Sequence, residues 1–238
     1  MLTRPPGLSP PAREVVLAQG IRFDPARWKR LLPSGALWPD ELDDTNVVTR
    51  ETVFAVCQGP DVMRGLVAAC VWDAGTGARS VHRRSRVFTR NEPDVLGFRL
   101  ATALEVLRGN GPVAAYAALL GRLRIANLGP TFLTKFLYFA GYDTGPGPRP
   151  LILDRFVAKG LAAGWPMTGW TSAQYGMYLR HAHTWADECG ATPDAVELAR
   201  CQAGKADARV RRPSPVLRAT PPTGPATAAG AEPCGGSR

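Results

Sequence analysis

The chain has 238 residues, of which 45% are hydrophobic and 8% are aromatic. This composition can bury a core of ordinary size, so it excludes a chain that is disordered throughout. The formal net charge is +9 and the sequence pI is near 9.8. Such an excess of Lys and Arg favours a polyanionic partner, because cationic side chains neutralise phosphates and release counterions. A basic protein with no nucleic-acid partner is the alternative on charge alone.

The five cysteines are far apart, and no two of them form the Cys-x-x-Cys pair that holds zinc or an iron–sulfur cluster. We therefore expect no metal and no cofactor. An odd number of cysteines favours reduced thiols. Residues 1–20 lack the apolar run of a secretory signal or a membrane span. These features predict a cytoplasmic protein that does not contact a membrane.

Three regions follow each other along the chain. Residues 1–12 are rich in proline and predict a flexible N-terminus, residues 13–204 predict a helical domain, and residues 205–238 predict a disordered, basic tail rich in Pro, Gly and Ala. Apolar spacing and end signals predict helices at 25–32, 49–57, 60–72, 93–108, 112–123, 130–140, 154–163, 172–189 and 193–201, with Asp24 and Thr49 as N-caps. Residues 73–77 indicate a flexible turn and residues 79–90 a basic cluster. With no convincing strand, the expected fold is an all-α, two-lobed domain.

A tight hairpin is predicted between the helices at 112–123 and 130–140. Asn127 and Gly129 are the residue types that best tolerate positive φ, and Pro130 suits the first position of a helix. The free amides after Pro130 form an anion site, because a helix N-terminus holds phosphate through N–H groups without partners. A backbone phosphate of DNA is the expected occupant.

These residues resemble the helix-hairpin-helix DNA glycosylases, and within them the 8-oxoguanine DNA glycosylase-like branch. Asn127-Leu128-Gly129 stands at the family's Leu-Pro-Gly-hydrophobic-Gly hairpin, and the apolar residues 150–153 lead into an aspartate, as in the family. The resemblance covers about residues 113–200, with a weaker extension back to about Phe23. It implies a monomeric, nucleoid-associated enzyme of base excision repair. Such an enzyme flips a damaged or modified purine, most simply 8-oxoguanine, out of double-stranded DNA and cleaves its N-glycosidic bond.

Asp154 and Lys135 are the expected catalytic residues. The resemblance makes Asp154 the carboxylate that stabilises positive charge on the sugar, and a simple helix cap is the alternative. The family's nucleophilic lysine lies two residues after the second hairpin glycine, where this chain has Thr131. Lys135 lies one helical turn later on the same face. It either acts as the nucleophile or contacts phosphate while water attacks, so lyase activity stays open.

Base recognition is expected from Glu197 and Phe139. Glu197 lies where the family reads the base edge, and a carboxylate can accept from guanine N1–H and N2–H₂. An exposed helical glutamate is the alternative. Where the family often has a stacking ring, this chain has Cys201, which makes Phe139, Trp165 or Trp170 the candidates. The expected DNA contacts are Asn127, Gly129, Thr131, Arg83 and Arg84.

Two rival functions remain on the sequence alone. Thr131 at the family's lysine position favours a helix-hairpin-helix module that binds DNA without chemistry. A glycosylase that acts on modified foreign DNA is the third possibility.

Overall fold

The structure is a computed structural model that describes residues 2–162 and 164–210, with the side chains of residues 209 and 210 left aside. Within these ranges the chain is mostly helical, which confirms the all-α fold. The helices are α1 (Arg13–Leu17), α2 (Pro25–Leu31), α3 (Arg50–Gln58), α4 (Val62–Ala74), α5 (Ala78–Thr89), α6 (Pro93–Asn110), α7 (Pro112–Leu120), α8 (Pro130–Gly141), α9 (Arg155–Leu161), α10 (Ser172–Cys189) and α11 (Pro193–Val210). The 3-10 turns lie at Gly35–Leu37 and Asp40–Leu42.

One departure from the predicted fold is a small sheet. Strand β1 (Gly20–Arg22) pairs antiparallel with β2 (Val47–Thr49), and Ile21 lies opposite Val48. Each strand has three residues. That is too short for the apolar alternation by which a strand is recognised in a sequence.

Helix ends are set by the residues that cap them. Asp24 and Thr49 accept hydrogen bonds from the amides of Arg27 and Thr52, which confirms both predicted N-caps. The turn predicted at 73–77 is wrong at its start, because α4 continues to Ala74 and is capped by Gly75, whose φ is 59°. Asp73 therefore lies in the last turn of α4.

Other predicted boundaries also differ from the structure. The basic cluster at 79–90 lies almost wholly in α5, and the first helix of the hairpin ends at Leu120. Helix α11 continues to Val210, past the start of the predicted tail, and residues 211–238 lie outside the described residues. Near the N-terminus, Leu2 packs into the core and Arg4 pairs with Glu188 at 3.3 Å. The flexibility of residues 1–12 stays a prediction.

Helix α8 is the central element of the core. Its residues from Phe132 to Phe139 are all buried, and it packs against α3, α4, α6 and α7. Because buried Thr134 and Lys135 interrupt this apolar run, the helix carries polar groups into the interior. Among the described residues, no helix combines the length and apolar character that a membrane span requires.

Helices α9 and α11 approach each other closely, and two glycines make this possible. A Cβ on Gly204 would overlap the carbonyl oxygen of Phe156, and a Cβ on Gly160 would overlap that of Arg200. This contact fixes the segment that begins with Asp154 against the helix that carries Glu197. The two glycines therefore set the distance between two of the expected site residues.

We expect Gly204→Ala to lower the free energy of unfolding by about 1–3 kcal/mol, because the added methyl group forces two helix backbones apart. Urea denaturation followed by circular dichroism measures the change. Gly109→Ala is the matched control, since a Cβ there meets nothing within 4 Å. It should be neutral or stabilise the protein by roughly 0.5–1 kcal/mol. Equal stability of the Gly204 variant and the parent protein would contradict the role given to this contact.

Candidate active site

A cleft of about 790 Å³ is lined by the ends of several elements that are distant in sequence. We call it the basic cleft. Its lining residues come from residues 19–21, the start of α3, the end of α4, α5, the hairpin, the first turns of α8, the segments at 152–156 and 168–169, and α11. All the expected site residues except Phe139 line it: Asn127, Gly129, Thr131, Arg83, Arg84, Lys135, Asp154 and Glu197. The sequence-based site is thus brought together in one place.

The hairpin differs in detail from the prediction. Asn127 has a φ of 63°, as expected, whereas Gly129 has a φ of −90° and serves as the N-cap of α8. The expected positive φ at Gly129 is therefore wrong, and a Cβ there would meet nothing within 4 Å. The amides of Phe132 and Leu133 both donate to the Gly129 carbonyl, at 2.8 and 3.0 Å. Of the first-turn amides after Pro130, that of Thr131 is therefore the one without a hydrogen bond to a described residue, and it is left for an anion.

Lys135 is buried and forms an ion pair with Asp73. Its Nζ contacts Asp73 Oδ1 and lies 5.6 Å from the centre of the Trp72 ring. The other carboxylate oxygen of Asp73 accepts from Arg84, whose guanidinium lies 4.7 Å from the Phe132 ring centre. Burial opposes ionisation of Asp73, but the charges of Lys135 and Arg84 outweigh it and hold the pKa of Asp73 below its usual value.

Asp73 was missed by the sequence analysis because it appeared to start a flexible turn. Its role becomes visible only when α4, α5 and α8 are packed together. The finding also changes the expectation for Arg84. This side chain is half-buried and paired with Asp73, whereas Arg83 and Arg86 are exposed on the same helix. Arg83 and Arg86 are therefore better placed to meet phosphate.

Asp154 caps α9 with only one of its two carboxylate oxygens. Oδ1 accepts from the amides of Phe156 and Val157 at 2.8 and 2.9 Å. Within the part of the chain that the structure describes, Oδ2 accepts no hydrogen bond. The capping and the chemical interpretations of Asp154 are thus compatible, because one oxygen fixes the carboxylate and the other remains available in the basic cleft.

Glu197 is 1% exposed, which overturns the alternative of an exposed helical glutamate. Its Oε2 accepts from Arg50 Nη1 at 2.6 Å. Burial raises the pKa of Glu197, and the charge of Arg50 opposes that rise. Burial also disfavours the charged Arg50, but its attraction to Glu197 keeps the pKa of Arg50 above its ordinary value. Arg50 was not predicted as a site residue, because nothing close in sequence distinguishes it from a surface arginine.

Phe139 does not reach the basic cleft. It is buried in the core, where its ring meets those of Phe54 and Trp72 edge to face at 5.3 Å, and it lines a second cavity of about 580 Å³. Trp165 and Trp170 do not line the basic cleft either. The partly exposed ring that does so is Phe156, two residues after Asp154. It was not among the predicted stacking rings, which were Phe139, Trp165 and Trp170 because Cys201 stands where the family often has the ring.

No group of three or more His, Cys, Asp or Glu side chains within residues 2–162 and 164–210 is arranged to hold a metal ion. Cys57, Cys70, Cys189 and Cys201 are free thiols. Cys201 lines the basic cleft, where burial raises the pKa of its thiol to about 12. It therefore remains a neutral thiol near pH 7.

Comparison with known families gives one match. Residues 14–200 match the family described as "Putative 8-oxoguanine DNA glycosylase OGG-like protein". The chain belongs to this family. At the level of the family it is a DNA glycosylase, so its substrate is DNA. Comparisons with curated proteins and with solved structures find no match. The matched range includes the whole ion-pair system of Asp73, Lys135, Arg50 and Glu197.

The Asp73 ion pairs should make stability depend on pH. Because its folded pKa is depressed below 3.8, ionised Asp73 stabilises the protein above that value, and the stabilisation is lost as the pH falls through the folded pKa. Asp73→Asn should lower the free energy of unfolding at pH 7 by about 3–5 kcal/mol, since it leaves two cations uncompensated. The free energy of unfolding of this variant should also fall less than that of the parent protein as the pH is lowered. Chemical denaturation between pH 2 and 7 tests both effects.

Asp44→Asn is the matched control, because Asp44 is exposed and has no ion pair with a described residue. We expect it to change stability by less than about 0.5 kcal/mol. If the Asp73 and Asp44 variants unfold alike at every pH, the ion pairs of Asp73 do not stabilise the fold.

Proposed function

We propose that this protein excises a damaged or modified purine, most simply 8-oxoguanine, from double-stranded DNA by flipping the base into the basic cleft and cleaving its N-glycosidic bond. One observation carries the proposal. Lys135, Asp154 and Glu197 line the same cleft as the hairpin that is expected to hold the DNA backbone. The cleft volume of about 790 Å³ is ample for a purine nucleotide, since sites for small ligands commonly measure 300–1,000 Å³. Family membership supports the reaction class.

In this proposal Asp154 acts on the sugar. Cleavage of the N-glycosidic bond develops positive charge on the sugar ring, and the carboxylate stabilises that charge through the oxygen that does not cap α9. The capping bonds hold the carboxylate in place before the substrate arrives. Little free energy is therefore needed to orient the Asp154 carboxylate when the reaction occurs.

Lys135 is proposed as the nucleophile, with water as the alternative. Its ammonium group must first pass a proton to an acceptor, for which Asp73 Oδ1 is in contact with Nζ, because only the neutral amine attacks. The Nζ–C1′ bond then forms as the bond to the base breaks, and the base leaves with the electron pair and takes up a proton. An imine formed from this adduct would permit strand cleavage. If water attacks instead, the Asp73 ion pair keeps Lys135 as a fixed cation beside the DNA.

Replacement of Asp154 and Lys135 tests the mechanism. Asp154→Asn keeps an oxygen that can cap α9 but removes the charge, so single-turnover excision of 8-oxoguanine should fall by at least roughly 100-fold while DNA affinity changes little. Lys135→Gln should abolish excision, and should also abolish the adduct that borohydride traps in the parent protein, if the amine is the nucleophile. If water attacks, the parent protein gives no adduct and the Lys135 variant retains excision.

The competing function is a module that binds DNA without chemistry, which Thr131 at the family's lysine position favours. Failure of the parent protein to excise any base from a panel of single-lesion duplexes, with tight DNA binding retained, would support that function instead. Asp154→Asn with full excision would remove the role given to Asp154.

DNA binding should depend strongly on salt, because it rests on exposed arginines and a helix end. We expect the affinity to fall by orders of magnitude between about 50 and 200 mM salt. Arg86→Gln should reduce the slope of log affinity against log salt by about 1. The matched control is Arg30→Gln, at an exposed arginine of α2 that does not line the basic cleft. Fluorescence anisotropy with a labelled duplex gives both slopes, and equal slopes for the two variants would place the DNA elsewhere.

A further inference from the structure

Asp73, Lys135 and Arg84 form a cluster in which two cations share one carboxylate. Lys135 contacts Asp73 Oδ1, and Arg84 places Nε and Nη2 each 2.5 Å from Asp73 Oδ2. The exposed fractions of the Asp73, Lys135 and Arg84 side chains are 10%, 7% and 13%. The cluster therefore carries one positive charge more than its carboxylate balances, in a place that little water reaches.

The charges that act most strongly on Asp73 come from two neighbouring helices. Burial opposes ionisation of Asp73, but Lys135 of α8 and Arg84 of α5 hold its pKa below the usual value. Cys70 of α4 faces the same three charges, but burial raises the pKa of its thiol and keeps it neutral. The protonation state of Asp73 thus depends on the two cations of its own cluster.

Ionised groups elsewhere in the basic cleft have other partners. Arg50 of α3 is paired with Glu197 of α11, and Asp154 accepts from the first amides of α9. Residues 19–21, which also line the cleft, carry no charged side chain. These elements therefore leave the excess charge of the cluster in place.

Loss of one proton balances the cluster. When the Lys135 ammonium becomes a neutral amine, one cation and one carboxylate remain, and Arg84 forms a one-to-one ion pair with Asp73. Without Arg84, the same step leaves a buried carboxylate with no cation, which is strongly unfavourable. A second cation beside a lysine is an arrangement that activates lysine nucleophiles. Arg84 thus favours the form of Lys135 that can attack.

The position of Arg84 suits an action through Asp73. Its guanidinium is held by the carboxylate and lies 4.7 Å from the ring centre of Phe132, which is one turn before Lys135 on α8. Arg83 and Arg86 of the same helix are exposed. The guanidinium of Arg84 is therefore fixed relative to Lys135, whereas its neighbours on α5 face the solvent.

We propose that Arg84 is a positioning residue of the excision reaction, which through Asp73 makes the neutral, nucleophilic form of Lys135 accessible near neutral pH. This inference rests on the glycosylase function proposed above, with Lys135 as the nucleophile. The proton passes from Lys135 Nζ to Asp73 Oδ1 and from there to water, because Arg84 keeps Asp73 ionised. The amine then forms the Nζ–C1′ bond as the bond to the base breaks, and the base takes up a proton from water.

Trace acetylation by acetic anhydride tests this coupling without DNA, because the reagent acylates neutral amines. Peptide mass spectrometry follows the acetylation rate of Lys135 against pH, with the exposed Lys29 of α2 as internal reference. Arg84→Gln removes the second cation, so the pH profile of Lys135 acetylation should move upward by roughly half a unit to one unit. Below the midpoint the rate should fall about 3- to 10-fold. Arg84→Lys restores a cation beside Asp73 and should keep the parental profile.

Single-turnover excision of 8-oxoguanine at saturating DNA is measured with the same variants, since a loss of DNA affinity does not affect this rate. Arg84→Gln should show the same upward shift and approach the parental rate at high pH. Arg30→Gln is the matched control, because it removes the same charge from an exposed arginine that does not line the basic cleft. It should keep the parental profile in both measurements.

Thermal unfolding identifies the variants that fold, and Arg84→Met, which can still pack on Phe132, is measured beside Arg84→Gln. A folded Gln or Met variant at position 84 with the parental acetylation profile overturns the proposal, as does a shift in Arg84→Lys as large as that in Arg84→Gln. Excision with an unchanged pH profile in a folded Arg84→Gln protein also overturns it and leaves the glycosylase function standing. The expected acetylation shift in a protein that excises no base would support the charge coupling and count against the proposed glycosylase activity.

Discussion

The buried charge network around Arg50 joins parts of the chain that are far apart in sequence. Arg50 on α3 pairs with Glu197 on α11 across 147 residues, and both Arg50 and Asp194 bond to Tyr138 on α8. Arg13 on α1 closes the network through a 2.8 Å contact with Asp194. Removal of one partner would leave a buried charge uncompensated, at a cost of several kcal/mol. Helices α1, α3 and α11 are therefore joined to α8 through one network, and Arg50 and Glu197 of this network line the basic cleft.

Helix α8 contributes side chains to two different cavities and also carries a buried lysine. Phe136 and Phe139 line the second cavity, whereas Phe132 and Lys135 line the basic cleft. A lysine in this position is stable because Asp73 compensates its charge and Trp72 lies beside its ammonium group. Since Asp73 also binds Arg84, one carboxylate aligns α5 with α8. The exposed arginines of α5 are thereby fixed at the edge of the basic cleft.

Local signals in the sequence predicted most of the fold. The caps at Asp24 and Thr49, the positive φ of Asn127 and the helix start at Pro130 all depend on residues close in sequence, and each is confirmed. Pairings such as Lys135 with Asp73, 62 residues apart, depend on tertiary packing and leave no local signal. Phe139 shows the same limit. Helical periodicity predicts which face of α8 carries its ring, but it does not predict which side chains pack over that ring. The sequence thus predicted residues that, Phe139 apart, lie together in one cleft, but it did not predict their ion-pair partners.

The charges of the basic cleft bear on the chemistry that it can support. Its lining contains seven basic residues and three carboxylates: Arg50, Arg83, Arg84, Arg86, Lys135, Arg155 and Lys205 against Asp73, Asp154 and Glu197. Such a field attracts DNA but opposes the positive charge that develops on a sugar as a base departs. Two of the three carboxylates are already paired, Asp73 with Lys135 and Arg84, and Glu197 with Arg50. Asp154 is the carboxylate of the cleft lining without an ion pair to a described residue, so the proposed reaction depends on it more heavily than it would in a neutral site.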